Sequence, residues 1–179
     1  MVDSQFVFVW SNLITKGLRK TDGFIVVKDR VAHLAANEGV RSFLKTKLDS
    51  VFFLDSDADV GASYLEELRE LQDGWEFDIF QGFYTRRGWP PEAIWHKETV
   101  LGDLMQCLVW KDNHTEETAM TGLHNTLIRR EVFETMRAAE PEILEKDYNW
   151  FYYPQHSYSS EDGVFCRNAR KHGFRVGST

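Results

Sequence analysis

The chain is short of cysteine, of net basic charge and of long apolar runs. Its two cysteines, Cys107 and Cys166, have neither the number nor the spacing of a disulfide framework or a zinc knuckle. Both read as small core residues in a reducing compartment. Lys and Arg number 21 against 28 Asp and Glu, for a net charge of -7. That balance excludes the basic footprint of non-specific nucleic-acid binding, so no nucleic-acid partner is expected. No uninterrupted apolar stretch reaches the roughly 18 residues of a membrane span, and the basic-then-apolar pattern of a signal peptide is missing. The expectation is a cytoplasmic protein with no transmembrane segment. The six histidines show no metal-type pairing; His124, beside Gly122 and ahead of an apolar stretch, is the one singled out for test. Internal repeats, linkers and low-complexity tracts are absent.

What is present is an ordinary globular composition, 42% hydrophobic and 27% charged, over 179 residues. That makes one domain, 1–179, with room for a sizeable core. The informative stretch is Val51-Phe52-Phe53-Leu54-Asp55-Ser56-Asp57-Ala58-Asp59. Its apolar half reads as a buried strand. Its carboxylates stand where open α/β sheets bind ligands, beyond the carboxyl ends of strands. Oxygen ligands alone suit a hard cation, Mg²⁺, Mn²⁺ or Ca²⁺.

Elsewhere helical and strand patterns alternate. Phe6–Leu18 reads as a helix and Phe24–Val27 as a short buried strand. A helix is expected within Val31–Lys47, with Leu34, Val40, Phe43 and Leu44 sharing a face. Ser63 and Glu66 have capping-box spacing for a helix over Tyr64–Leu71. Phe77–Tyr84 reads as a strand, and the Ser160-capped stretch to His172, stopped by Gly173, as a helix before a strand from Phe174. This alternation predicts parallel crossovers.

Two further groups carry chemistry. Glu161-Asp162 at a helix start favours the macrodipole, and either acid has the chemistry of a general base. Arg86 and Arg87, in a loop with Gly88, Pro90 and Pro91, have the donors to clamp a phosphate or a sugar hydroxyl. Trp89 and Trp95 offer stacking rings or core residues.

In this order the pieces resemble GT-A fold glycosyltransferases, closest to the family-two-like enzymes of bacteria and phages. Ala35-Ala36-Asn37-Glu38-Gly39-Val40 resembles that family's Arg-Asn helix, with Ala36 where the family has arginine. Phe52–Asp57 resembles its DxD strand. Gly82–Arg87 with Pro90-Pro91 resembles the following strand and loop, Thr121–Phe133 the donor-sugar side, and Ser160–Cys166 the acceptor-side acidic helix. The resemblance implies a Rossmann-like α/β fold with a mixed, mainly parallel sheet flanked by helices. The chain begins at what resembles the family's first helix, so a domain incomplete at both ends and lacking the first strand is expected. An open sheet edge beside Phe24–Val27 is expected with it.

The resemblance further implies transfer of a sugar from a nucleotide-diphosphate donor to an acceptor hydroxyl on a glycan, lipid-linked carrier or protein. The cofactor would be Mn²⁺ or Mg²⁺. Asp55 and Asp57 would hold the metal, Asp55 also facing the ribose. Asn37, Arg86, Arg87 and Gly122 would line the donor site, and Asp162 or Glu161 would be the base. The alternatives are a non-catalytic sugar-nucleotide-binding remnant, a haloacid-dehalogenase-like phosphohydrolase with Asp55 as nucleophile, and a calcium loop in which Asp55, Asp57, Asp59 and Glu66 imitate an EF-hand.

Overall fold

The computed structural model describes residues 17–27, 30–54, 60–82, 95–100, 104–106, 114–144, 146–154 and 160–179. It is a mixed α/β structure. In chain order the elements are α1 (Ala32–Leu44), β1 (Ser50–Phe53), α2 (Tyr64–Trp75), β2 (Ile79–Gln81), β3 (His96–Glu98), β4 (Leu104–Gln106), β5 (Glu116–Glu117), β6 (Thr126–Arg129), α3 (Arg130–Ala138), α4 (Glu161–Lys171) and β7 (Val176–Ser178). Five strands form one sheet in the order β1-β6-β2-β7-β5, and β3 with β4 forms a separate ribbon. The expected helix over Phe6–Leu18 lies almost wholly outside the described residues.

The sheet is mixed rather than mainly parallel in its pairings. Strands β1, β2 and β7 run one way, as the helix–strand alternation implies. Strand β6 inserts antiparallel between β1 and β2, so β2 with β7 is the one parallel pair among the described strands. The α2 crossover therefore spans an intervening strand that comes much later in the chain. That long-range pairing has no local sequence signal.

Each strand alternates its side chains between two faces. Ile79, Ile128 and Val176 point to the side covered by α1, α3 and α4, into a core with Val40, Phe43, Phe133, Trp150 and Phe165. Phe80 and Leu127 point to the other side, under Leu65 and Leu68 of α2. Helix α1 buries Ala36, Asn37, Val40 and Phe43. Leu34, expected on that face, is exposed. The C-terminal end of α1 is closed by Arg130, whose guanidinium donates to the carbonyls of Leu48 (2.7 Å) and Thr46 (3.0 Å) and lies 4.7 Å over the Phe43 ring.

Two local expectations fail. Phe24–Val27 is not a strand, and Phe24, Ile25 and Val26 are exposed. No described strand pairs with the outer side of β1, so the open edge falls at β1 itself. The capping box at α2 does not form: Ser63 has helical backbone angles and makes no side-chain cap bond. Glu66 instead pairs with Arg19 and, at 3.3 Å, with Arg69, while Arg69 also holds Asp22 at 2.8 Å. These charges dock segment 17–22 on α2 and pull the Glu66 carboxyl below its ordinary range, chiefly through its hydrogen bond to Arg19. Helix α4 matches expectation at both ends. Ser160 Oγ accepts from Gly163 N at 3.3 Å, and Gly173 follows with φ 89°, a left-handed turn that glycine takes without strain.

Candidate functional site

One row of cross-strand partners closes an end of the sheet: Phe53, Thr126, Gln81, Ser178 and Glu116. It is the end from which β1 and β2 exit. Residues in register share a face, so Thr126, Gln81 and Ser178 point to the α4 side, and all three are buried. Buried polar groups are ordinarily hydrogen-bonded; Gln81 Nε2 and Thr126 Oγ1 are, while Gln81 Oε1 and Ser178 Oγ have no partner among the described residues. Gln81 Nε2 donates to the carbonyls of Gly122 (3.1 Å) and His124 (2.9 Å). Thr126 Oγ1 lies 2.8 Å and 3.1 Å from the same two oxygens. Gly82 N donates to Asn125 O at 3.0 Å, and Asn125 takes φ 54°. The 121–125 turn is thus strapped to the sheet end by the side chains of Gln81 and Thr126.

Helix α4 approaches this turn from above. A Cβ on Gly163 would sit 2.9 Å from Met120 Sδ, so glycine permits the close approach. Between them is a closed, largely apolar crevice with no room for a water molecule, where Thr121, Gly122 and Asp162 lie against Ile79, Ile128 and Phe165. Two of the expected site residues, Gly122 and Asp162, meet there. Glu161 is buried on the neighbouring side of the helix start and accepts from the hydroxyl of Tyr153, a bond that is the main cause of the phenol being pushed up to about 12. Cys166, behind Asp162, is a free buried thiol pushed up to about 11 by burial; Cys107 is outside the described residues.

Asn37 does something other than the resemblance implies. It is 1% exposed. Its Nδ2 donates to His33 O (2.8 Å) and Phe151 O (2.7 Å), and its Oδ1 accepts from Trp150 N (2.8 Å) and Phe151 N (3.2 Å). Two donors and two lone pairs are an amide's full capacity, so nothing remains for a nucleotide. Asn37 is one of three residues on an i, i+4 stripe of α1 that hold segment 148–153. Arg41 Nη2 donates to Tyr148 O and Asn149 Oδ1, both at 2.8 Å. The His33 ring meets Tyr153 edge to face at 5.1 Å.

Asp55, Asp57, Arg86 and Arg87 lie outside the described residues, as do Asp59 and Trp89. The chain leaves the description just past β1, at partly buried Leu54, and re-enters at buried Val60. Trp95 is a core residue, 3% exposed. Among the described residues no group of three His, Cys, Asp or Glu side chains could hold a metal, and no helix is long and apolar enough to cross a membrane. An EF-hand needs a helix before its loop; strand β1 stands there instead.

Gln81, Thr126 and Tyr153 are the site-forming residues that the sequence did not single out. Tyr153 had one signal: a tyrosine pair between a core aromatic pair and the Ser-Glu-Asp helix start.

No protein-family model matches the chain, and no curated protein matches it. Among solved structures, the chain is similar to the crystal structure of A197 from STIV, with a TM-score of 0.54 and 18% identity over 94% of this chain and 74% of that one. The likeness is one of fold.

Proposed function

We propose that this chain is a GT-A-like, metal-dependent glycosyltransferase domain of the cytoplasm. It moves a sugar, of hexose type, from a nucleotide-diphosphate donor to an acceptor hydroxyl. The observation that carries the reading is the common end of the sheet. The strand that runs into Asp55 and Asp57 exits at the same end of the sheet as the 121–125 turn and the start of α4, where Gly122 and Asp162 lie.

Between the two acids of α4, the geometry favours Asp162 as the base. Glu161 is buried, whereas Asp162 is partly exposed at the same helix start. Asp162 would take the proton of the acceptor hydroxyl as that oxygen bonds to the anomeric carbon. The bond from that carbon to the diphosphate oxygen breaks, and the electron pair leaves with the diphosphate. Asp55 and Asp57 have the hard-oxygen chemistry for Mn²⁺ or Mg²⁺. A cation there would supply charge to offset the departing diphosphate. Arg86 and Arg87 would add to that offset, and Gly122 would bound the sugar. Asn37 supports the site indirectly, through segment 148–153.

The test is thermal shift of the full chain with uridine, guanosine and thymidine diphosphate sugars, with and without Mn²⁺. Ligand at a hundred times its dissociation constant adds about 2.7 kcal/mol of stability. The expected result is a rise for one nucleotide class that needs Mn²⁺ and disappears in Asp57→Asn. No shift with any donor would overturn the reading. In Asp162→Asn, donor binding stays and transfer falls roughly 10²- to 10⁴-fold. Unimpaired transfer there would place the base elsewhere, and donor binding without turnover in the unsubstituted chain would favour the non-catalytic alternative.

A further inference from the structure

Segment 148–153 changes character halfway. Tyr148, Trp150 and Phe151 are buried, while Tyr152 and Tyr153 are 41% and 56% exposed. Two adjacent exposed tyrosines would ordinarily be mobile surface rings. These are not free at their far ends. Asn168 Nδ2 donates to Tyr152 Oη at 3.3 Å, and the Tyr153 hydroxyl donates to Glu161. The Tyr153 ring is further fixed by His33, at 82° between planes. Asn168 and Glu161 are seven residues apart on α4, so they share a face two turns, or about 10 Å, apart. The rings are thus anchored along one side of α4 and open to water on the other.

A rigid, amphipathic ring loses little conformational entropy when something stacks on it. Its electron-rich face attracts the weakly positive C–H groups that line one face of a pyranose. The amide of Asn168 beside it suits a hydroxyl on the rim. An apolar protein partner would find too much charge here, because Glu161, Asp162, Arg167 and Arg170 all lie on the same helix.

We propose that Tyr153, with Tyr152, is the stacking platform for a glycan acceptor. This rests on the glycosyltransferase reading and narrows its acceptor to an oligosaccharide. The residue beside Tyr153, Glu161, adjoins Asp162, so a sugar stacked on Tyr153 would lie near the helix start that carries Asp162. The anchored length suits two or more sugar units better than one.

The experiment is saturation-transfer difference NMR on the full chain with maltotriose, cellotriose and chitotriose, repeated on Tyr153→Ala, Tyr153→Phe and Tyr152→Ala. Circular dichroism serves as the folding control. At least one trisaccharide should bind, with transfer to its C–H face. Affinity should fall at least tenfold in Tyr153→Ala, less in Tyr152→Ala, and under threefold in Tyr153→Phe, which keeps the ring and loses only the tether. Binding of Mn²⁺ with the donor sugar should be unchanged in Tyr153→Ala. Failure of all three sugars to bind the folded chain would overturn the platform. So would binding that survives Tyr153→Ala. If sugars bind through Tyr153 while no nucleotide sugar shifts the melting temperature, the platform stands and the transferase reading falls. If donors bind and glycans do not, the reverse holds.

Discussion

Two apolar stretches flank helix α1, and they meet opposite fates. Phe24–Val27 precedes it and is exposed without regular structure; Trp150 and Phe151, far away in sequence, lie against the helix with 0% exposure each. By hydrophobicity the two are much alike. The difference is in what the backbone between the side chains can do. At 150–151, Asn37 accepts two backbone N–H groups and donates to one carbonyl. Trp150 Nε1 adds a bond to Phe133 O at 2.9 Å. The peptide groups can therefore enter the core with their hydrogen bonds kept. Ile25 and Val26 have no hydrogen bond of this kind among the described residues. Apolar side chains supply the drive for burial, and a polar side chain decides which stretch can use it.

The sharpest break of that contrast is at the clipped segment. Trp150→Ala removes a wholly buried ring wedged against Phe133 (5.9 Å) and Tyr148 (5.0 Å). It should cost about 3–5 kcal/mol, read as a lower denaturant midpoint at unchanged slope. Asn37→Ala should come next, at roughly 3 kcal/mol or more, because it leaves two N–H groups and a carbonyl buried without partners. Asn37→Asp tests the same point differently. It keeps two acceptors but sets a buried carboxylate oxygen against the carbonyls of His33 and Phe151, so at neutral pH it should cost at least as much as Asn37→Ala. A mild effect of Asn37→Ala on stability, with loss of nucleotide binding instead, would return Asn37 to the role its family resemblance implies.

A smaller effect concerns pH. Tyr148 anchors the start of the segment through its hydroxyl, which donates to Met136 O at 3.0 Å. Burial, with Glu140 and Tyr152 nearby, pushes its phenol up to about 12. The folded state thus holds this proton more tightly than the unfolded chain, whose tyrosines titrate near 10. The stabilisation is complete below about pH 10 and is lost as pH rises toward 12. Tyr148→Phe should cost on the order of 1 kcal/mol at neutral pH and flatten part of the alkaline fall. The alkaline limb would not disappear, since Tyr64 is also raised by burial. An unchanged limb in Tyr148→Phe would mean that the phenol is not the group that titrates.

The same contrast explains what was legible in the sequence. Periodicity located α1, and cap and stop signals located α2 and α4, because both kinds of signal are local. It located the strand before Asp55, and it put Glu161 and Asp162 at a helix start. It misjudged Phe24–Val27, since an apolar run says nothing about whether a neighbouring strand exists. It missed β6 between β1 and β2, a pairing of residues more than seventy apart. The family resemblance gave Asn37 to the nucleotide. The partner was instead backbone more than a hundred residues later. Gln81 escaped for the same reason: its carbonyl partners belong to a turn more than forty residues later, whose position only the folded sheet defines.

The smallest expected effect lies at the exposed stretch. Ile25 and Val26 are 43% and 52% exposed. Ile25→Ser and Val26→Ser should each change stability by no more than about 0.5 kcal/mol, the usual range for surface positions without special contacts. Amide hydrogen exchange should show both residues unprotected while Trp150 and Phe151 exchange only on global opening. The position of the stretch makes a large effect informative. Strand β1 has its outer edge open among the described strands, and an open edge is a template for pairing. If Ile25→Ser costs more than about 1.5 kcal/mol, or its amide is protected, the stretch is covered in solution. Repeating the measurement over a tenfold range of protein concentration then separates the two ways of covering it. A cost that falls on dilution belongs to a second copy of the chain, and a constant one to pairing within the chain.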